Sequence, residues 1–275
     1  MKEFLLQPKG IYYRINTFRP DRQTMVFVHG LSGSSSAWVK FENKFKDNFN
    51  IVSFDLRGHG KSWKPHAYTE YSIKKLADDL HELLEYLRVE KCILISHSFG
   101  CFIALEFLKK YQYNVSKAVF LSPNSSVRKM MSARIIRPFV FMGVSLLKHL
   151  SSPLKIRGHI DYSQYSDKGG DWNIPITTAN IWNTSLRVYL YATKHSYDFD
   201  GEEFLKKIQV PTLVMHGRKD TIFPIRYGVA TAQKIPNVKL IVLEKANHIL
   251  VLNHEPEVSQ AIKDFVDETT KKDSS

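Results

Sequence analysis

One serine in this chain has neighbours suited to nucleophilic chemistry. Ser98 stands in Ser96-His97-Ser98-Phe99-Gly100, directly after the apolar run 92–96 and before the helix-like segment 101–110. A small-x-Ser-x-Gly turn between strand and helix lifts the serine Oγ above the carboxyl end of the strand, strains its backbone and sets a helix N-terminus beside it. Such a serine attacks a carbonyl carbon when a histidine takes its proton and a carboxylate orients that histidine. Ser96 occupies the position where glycine is usual, a small side chain that the turn tolerates. Short Ser-x-Gly matches also arise by chance, so the remaining parts must be found elsewhere in the chain.

Both parts occur in the order serine, acid, histidine. Gly217-Arg218-Lys219-Asp220 follows the apolar run 212–216, and Glu244-Lys245-Ala246-Asn247-His248 follows the run 239–243. Loops at the carboxyl ends of parallel strands line the ligand crevice, so Asp220 and His248 are the partners read here. One strand earlier the chain offers only Ser122-Pro123-Asn124, with no carboxylate. Glu244 is the alternative acid, although its nearness in sequence to His248 says nothing about geometry. Of the 11 histidines, His216 falls inside a strand, His254 precedes or opens the last helix, and His97 should point away from the nucleophile. All three read as structural. Oxyanion donors are expected from the backbone N–H of Phe99 and from that of Leu31, in the loop His29-Gly30-Leu31-Ser32-Gly33. His29 itself reads as the side chain that fixes this loop.

These residues need a scaffold that brings distant loops together. Short runs rich in Val, Ile and Phe at 24–28, 51–55, 93–96, 118–122, 212–216 and 239–243 read as buried strands. Helical segments lie between several of them, and Leu76, Leu80, Leu83, Leu84 and Leu87 make one apolar stripe. The alternation implies a doubly wound, mostly parallel α/β sheet of about eight strands. Residues 4–18 read as two antiparallel strands turning near Pro8, Lys9 and Gly10. The alternation fails over 123–197, which reads as an inserted, mainly helical cap on a core formed by 1–122 and 198–275. A final helix is expected near 256–266, followed by a polar tail. No internal repeat is found.

Together His29-Gly30, Asp55-Leu56-Arg57-Gly58-His59-Gly60-Lys61-Ser62, the turn 96–100, Asp220 and His248 resemble the α/β-hydrolase superfamily, in its serine esterase and lipase-like branch with an inserted cap. The resemblance covers nearly all of the chain outside the cap. It implies that loop 55–62 is a structural hallmark with no catalytic role. A serine at position 98 argues against the haloalkane dehalogenase and epoxide hydrolase branches, which use aspartate there. The implied activity is hydrolysis of a carboxylic ester with a small or medium acyl group, carboxylesterase-like (EC 3.1.1), through an acyl-enzyme. The same triad also serves carbon–carbon bond hydrolases, lactonases, thioesterases and acyltransferases. A reading of a different class is a ligand receptor with residual hydrolase activity, resembling plant hormone receptors. No metal or organic cofactor is expected, since no Cys/His cluster or nucleotide-binding glycine loop occurs.

Composition sets broader bounds. The 275 residues, 43% hydrophobic and 24% charged, suit a packed globular enzyme or binding domain and argue against disorder. The start lacks a basic and apolar leader, and no apolar run of about 18 residues occurs, so a soluble protein is expected. Cys92 and Cys101 are too few for a disulfide framework, which suits a cytoplasmic location. The net charge of +12 raises nucleic acid, acidic lipid or anionic substrate as partners. No acidic residue falls between Glu106 and Asp161, while ten Lys and Arg do. A solvated basic surface is the simpler reading, and no nucleic-acid motif opposes it. Met130, Met131, Ile135, Ile136, Phe139, Val140, Phe141, Met142, Leu146 and Leu147 either pack the cap onto the core or form an acyl pocket or lipid-facing entrance. Tyr162, Tyr165, Trp172, Trp182, Tyr189 and Tyr191 either touch substrate or fill the cap. Oligomeric state is not legible.

Overall fold

A computed structural model of the chain describes residues 1–149, 155–164 and 167–273. Its strands are β1 (Lys2–Leu6), β2 (Ile11–Ile15), β3 (Thr24–Val28), β4 (Asn50–Phe54), β5 (Cys92–His97), β6 (Val115–Leu121), β7 (Thr212–Gly217) and β8 (Val238–Leu243). They form one sheet in the order β1-β2-β4-β3-β5-β6-β7-β8. The pairings β1–β2 and β2–β4 are antiparallel and the others are parallel. Parallel strands covered on both faces need apolar side chains at every position, which is why these runs lack polar alternation. Val26, Val28, Val52, Phe54, Leu94, Phe120 and Val214 face one layer, and Met25, Phe27, Ile51, Ile93, Ile95, Val119 and Met215 face the other. At roughly 1.5–3 kcal/mol for each fully buried large side chain, the central strands dominate stability.

The helices are α1 (Val39–Phe45), α2 (Ile73–Tyr86), α3 (Phe99–Tyr111), α4 (Met131–Leu147), α5 (Ile174–Thr184), α6 (Leu186–Asp198), α7 (Ile225–Ala232), α8 (Leu250–Asn253) and α9 (Glu255–Asp273). The α2 stripe is buried at Leu76, Leu80, Leu83 and Leu84. Its N-cap Ser72 accepts from the Lys75 N–H. The helix α3 is buried along nearly its whole length, consistent with a central position under the strand ends. Two boundaries differ from the sequence expectation. Strand β6 starts at Val115 and ends at Leu121, because Ser122 turns to φ 49°. Helix α9 runs on to Asp273 where a polar tail was expected from 267. That segment has no apolar face to announce a helix, but Glu and Lys favour helix and no Gly or Pro stops it.

Between β6 and β7 the chain forms α4, α5 and α6. Asn173 and Ser185 cap α5 and α6 by accepting from the Ile176 and Val188 N–H groups. Helix α6 packs on the core through Tyr191, edge-on to Tyr68 and Tyr71 with ring centroids 5.3 and 5.7 Å apart. The buried Lys64 Nζ donates to the carbonyls of Gly58 and Asn183 at 3.0 and 2.9 Å, and burial pulls its pKa down to about 8. Where this connection leaves and rejoins the sheet, the Gly201 N–H donates to the Ser125 carbonyl at 2.9 Å.

Candidate active site

Ser98 links β5 to α3 with φ 51° and ψ −116°, a left-handed geometry that costs a non-glycine residue about 1–3 kcal/mol. Neighbouring structure holds it there. The Ser98 N–H donates to the Leu121 carbonyl at 2.9 Å, and its own carbonyl accepts from the Cys101 N–H at 2.8 Å. Gly100 lets α3 approach the end of β3, since a Cβ there would lie 2.6 Å from the Val28 carbonyl oxygen. Ser96, in the usual glycine position, is buried and donates to the Val119 carbonyl at 3.2 Å. A small hydroxyl thus finds a partner within the sheet. Nearby Cys101 is a poor nucleophile, because burial pushes its thiol up to about 12.

The loops after β7 and β8 bring Asp220 and His248 to this serine. His248 Nε2 lies 2.7 Å from Ser98 Oγ, and its Nδ1 lies 2.8 Å from Asp220 Oδ2. An ionised Asp220 accepts a hydrogen bond from the Nδ1–H, leaving Nε2 to accept from the serine hydroxyl. Burial alone would raise the Asp220 carboxyl, but hydrogen bonds from His216 and His248 outweigh it and hold it far below the usual range. The His216 Nε2–H is shared between Asp220 Oδ2 at 3.1 Å and the Phe223 carbonyl at 2.7 Å. The Ile222 and Phe223 N–H groups bond Oδ1 at 2.9 and 2.7 Å, so the carboxylate is saturated with donors. Glu244 is placed otherwise: it is exposed and pairs with Arg218 at 2.6 and 2.7 Å. The alternative acid is thus engaged by Arg218, whereas the His248 ring meets Asp220.

The backbone of His248 is clamped as closely as its ring. Its carbonyl accepts from His97 Nε2 at 2.9 Å and from Ser122 Oγ at 3.1 Å. Its N–H donates to Asp171 Oδ1 at 2.5 Å. The other Asp171 oxygen accepts from Thr221 N and Oγ1 at 2.7 and 2.8 Å. One carboxylate in the β6–β7 connection thus ties the Asp220 loop to the His248 loop. His97 therefore supports the His248 main chain, and burial beside His248 lowers its pKa to about 3.

The loop after β3 lies against the serine, since a Cβ on Gly30 would sit 3.5 Å from Ser98 Cβ. His29 Nδ1 donates to the Gly30 carbonyl at 2.8 Å and Nε2 accepts from the Leu56 N–H at 3.0 Å. Leu31 follows Gly30 directly in this loop. Phe99 opens α3, where the first N–H groups have no intrahelical acceptor. Loop 55–62 is organised around Asp55, whose buried carboxylate accepts from Ser35 N and Oγ, Lys61 N and, at 2.7 Å, His159 Nε2. Thr184 Oγ1 also donates to the Ser32 carbonyl at 3.0 Å.

Asp171 and His159 were not singled out by sequence, because neither lies in a strand-end motif or a periodic stripe. Of the aromatic residues weighed in this region, Tyr191 is buried, while Trp172 and Trp182 are exposed. Trp172 Nε1 donates to Thr221 Oγ1 at 3.0 Å, and Tyr165 lies outside the described residues. Among the described residues, no three His, Cys, Asp or Glu side chains group to hold a metal ion. No helix among them is long and apolar enough to cross a membrane.

With a mostly parallel eight-stranded sheet and this loop constellation, the chain belongs to the α/β hydrolase fold family, whose sequence model matches residues 23–255. It is 26% identical to the uncharacterized hydrolase YugF of Bacillus subtilis (strain 168), covering 97% of each chain. It is 29% identical to the bifunctional esterase/perhydrolase DCH of Acinetobacter calcoaceticus, covering 80% of this chain and 83% of that one. In three dimensions it is similar to a thermophilic esterase from Thermogutta terrifontis, with a TM-score of 0.74 at 21% identity, covering 98% and 99% of the two chains.

Proposed function

We propose that this protein is a serine carboxylesterase acting on small or medium acyl esters, with residues 123–197 forming a cap over the site. The observation that carries the reading is the unbroken hydrogen-bond chain from Ser98 Oγ through His248 to Asp220, at 2.7 and 2.8 Å. Relatedness to an esterase/perhydrolase favours the same class of acyl chemistry.

His248 Nε2 takes the Ser98 proton as Oγ bonds to the ester carbonyl carbon, and the carbonyl electron pair moves onto oxygen. The Leu31 and Phe99 N–H groups receive that oxyanion. Collapse expels the alkoxide, which takes the proton from His248 Nε2 and leaves as an alcohol. His248 then deprotonates a water that attacks the acyl-enzyme, and the returning proton restores Ser98 as the carboxylic acid departs. Asp220 keeps the imidazolium paired throughout, its carboxyl too acidic to take the proton itself.

The test is hydrolysis of p-nitrophenyl esters from acetate to laurate by the purified chain and by Ser98→Ala. Short or medium esters should turn over, and the substitution should cost about a thousandfold or more in kcat. A fluorophosphonate probe should modify the Ser98 peptide in mass spectrometry. Turnover that survives Ser98→Ala would remove Ser98 from the mechanism.

A further inference from the structure

His216, fully buried near the end of β7, lies outside the proton path from Ser98 to His248. Its Nε2–H nevertheless serves two acceptors that bear on that path. One is the Phe223 carbonyl at 2.7 Å, and the other is Asp220 Oδ2 at 3.1 Å, the same oxygen that meets His248 Nδ1 at 2.8 Å. His216 Nδ1 has no hydrogen-bond partner among the described residues. Gly228 of α7 packs against it, since a Cβ there would lie 2.1 Å from Nδ1. With acceptors only at Nε2, the ring is the Nε2–H tautomer. Phe223 in turn donates its N–H to Asp220 Oδ1 at 2.7 Å and sets its ring edge-on to His248, centroids 5.2 Å apart. Asp220 and Phe223 thus stand at the two ends of one turn, and both touch His248.

We propose that His216 is a positioning residue of the triad: its Nε2–H fastens the turn 220–223 to β7 and spreads the Asp220 charge, which sets the place and the basicity of His248. The catalytic meaning of this role rests on the serine hydrolase reading of Ser98. Among the described residues, buried Asp220 has as partners two imidazoles and the Ile222 and Phe223 N–H groups, with no Lys or Arg. A buried carboxylate keeps its charge only while such donors satisfy it. Without the His216 donor, Oδ2 is left to His248 alone, and the more concentrated charge favours the imidazolium. The Phe223 carbonyl also loses its partner, which releases the turn from the strand. The other titratable groups around His248 are Ser98 at Nε2, the His97 ring with centroids 5.3 Å away, and Asp171 on the backbone N–H. Substitution of His216 leaves all three in place.

The test compares His216→Leu, which removes the donor, with His216→Gln, whose amide reaches the place of Nε2. His216→Asn, whose amide reaches only the place of Nδ1, repeats the first experiment if the Leu variant fails to fold. In the Leu variant, kcat for p-nitrophenyl butyrate should fall about tenfold or more with KM within about twofold of the parent. The acidic limb of kcat/KM should move up by about half a pH unit or more. His216→Gln should bring kcat to within about threefold of the parent and return the limb. The His248 Nδ1 proton, assigned in proton NMR by its loss in His248→Gln, supplies a readout that needs no substrate, and its titration should move upward with the limb. A chain that hydrolyses no ester yet shows this NMR change would overturn the esterase reading while supporting the positioning role. Equal losses in the Leu and Gln variants with the proton titration unmoved would reduce His216 to packing and overturn the proposal, as would a Leu variant that matches the parent.

Discussion

Asp171→Asn tests the clamp that the β6–β7 connection places on the His248 loop. The Asp171 carboxylate accepts three hydrogen bonds, one from His248 N and two from Thr221. An amide keeps one accepting oxygen and turns an NH2 group toward donors on the other side, so one or two of the three bonds are lost. Hydrogen bonds to a charged group are worth about 1.5–3 kcal/mol each, which gives a cost of about 1.5–6 kcal/mol. Part of this cost loosens the β6–β7 connection, and part frees the His248 loop from its alignment with Ser98. If about half reaches the transition state, kcat falls about 4- to 160-fold. The assay is steady-state hydrolysis of p-nitrophenyl butyrate, with kcat and KM resolved and thermal unfolding measured alongside. The drop should appear in kcat, and Thr221→Ala should reproduce only part of it. Activity within twofold of the parent together with an unchanged Tm would refute the clamp.

Other consequences follow from the same geometry. Asp220→Asn should lower kcat by about three to four orders of magnitude with the fold retained, because an amide holds the wrong His248 tautomer; far-UV circular dichroism and kinetics check both halves. Gly100→Ala should destabilise by about 2 kcal/mol or more, read by urea unfolding, since its Cβ would collide with the Val28 carbonyl oxygen at 2.6 Å. His59 and His97 are buried and both pulled down to about 3 from an ordinary 6.5. The unfolded chain takes up these protons as pH falls below about 6.5 while the fold refuses them down to about 3, so stability is full above pH 7 and lost through that window. Tm measured between pH 8 and pH 4 should fall accordingly, and a flat profile would contradict the burial of these rings.

The sheet was legible because its strands are buried on both faces and carry uninterrupted Val, Ile and Phe. Ser98, Asp220 and His248 were readable as candidates because each lies in a short loop directly after such a strand, where position follows from topology. The β6–β7 connection gave no comparable signal. Asp171 acts through the main chain of residues 50 and 77 positions away, a relation that no local spacing encodes. His216 was read as a strand residue, which it is, but the turn after β7 also folds Asp220 back onto its ring. The apolar residues of α4 were ambiguous for a physical reason. A 3.6-residue period identifies stripes without saying which one faces the core, and here Val140 and Val144 point inward while Phe139 and Met142 point out.

The bond between Gly201 and Ser125 bears on how such a protein changes over time. It closes the neck of the β6–β7 connection, so the sheet experiences two chain ends already held together whatever lies between them. The entropy of closing a flexible segment grows only logarithmically, about 0.6 kcal/mol for each doubling of its length. The sheet can therefore accept a replacement β6–β7 connection of quite different length as a modular graft. The graft must also supply a carboxylate for Thr221 and His248. Under the proposed function, specificity diverges by exchange of this segment while its carboxylate contact to the Thr221 and His248 loops is kept.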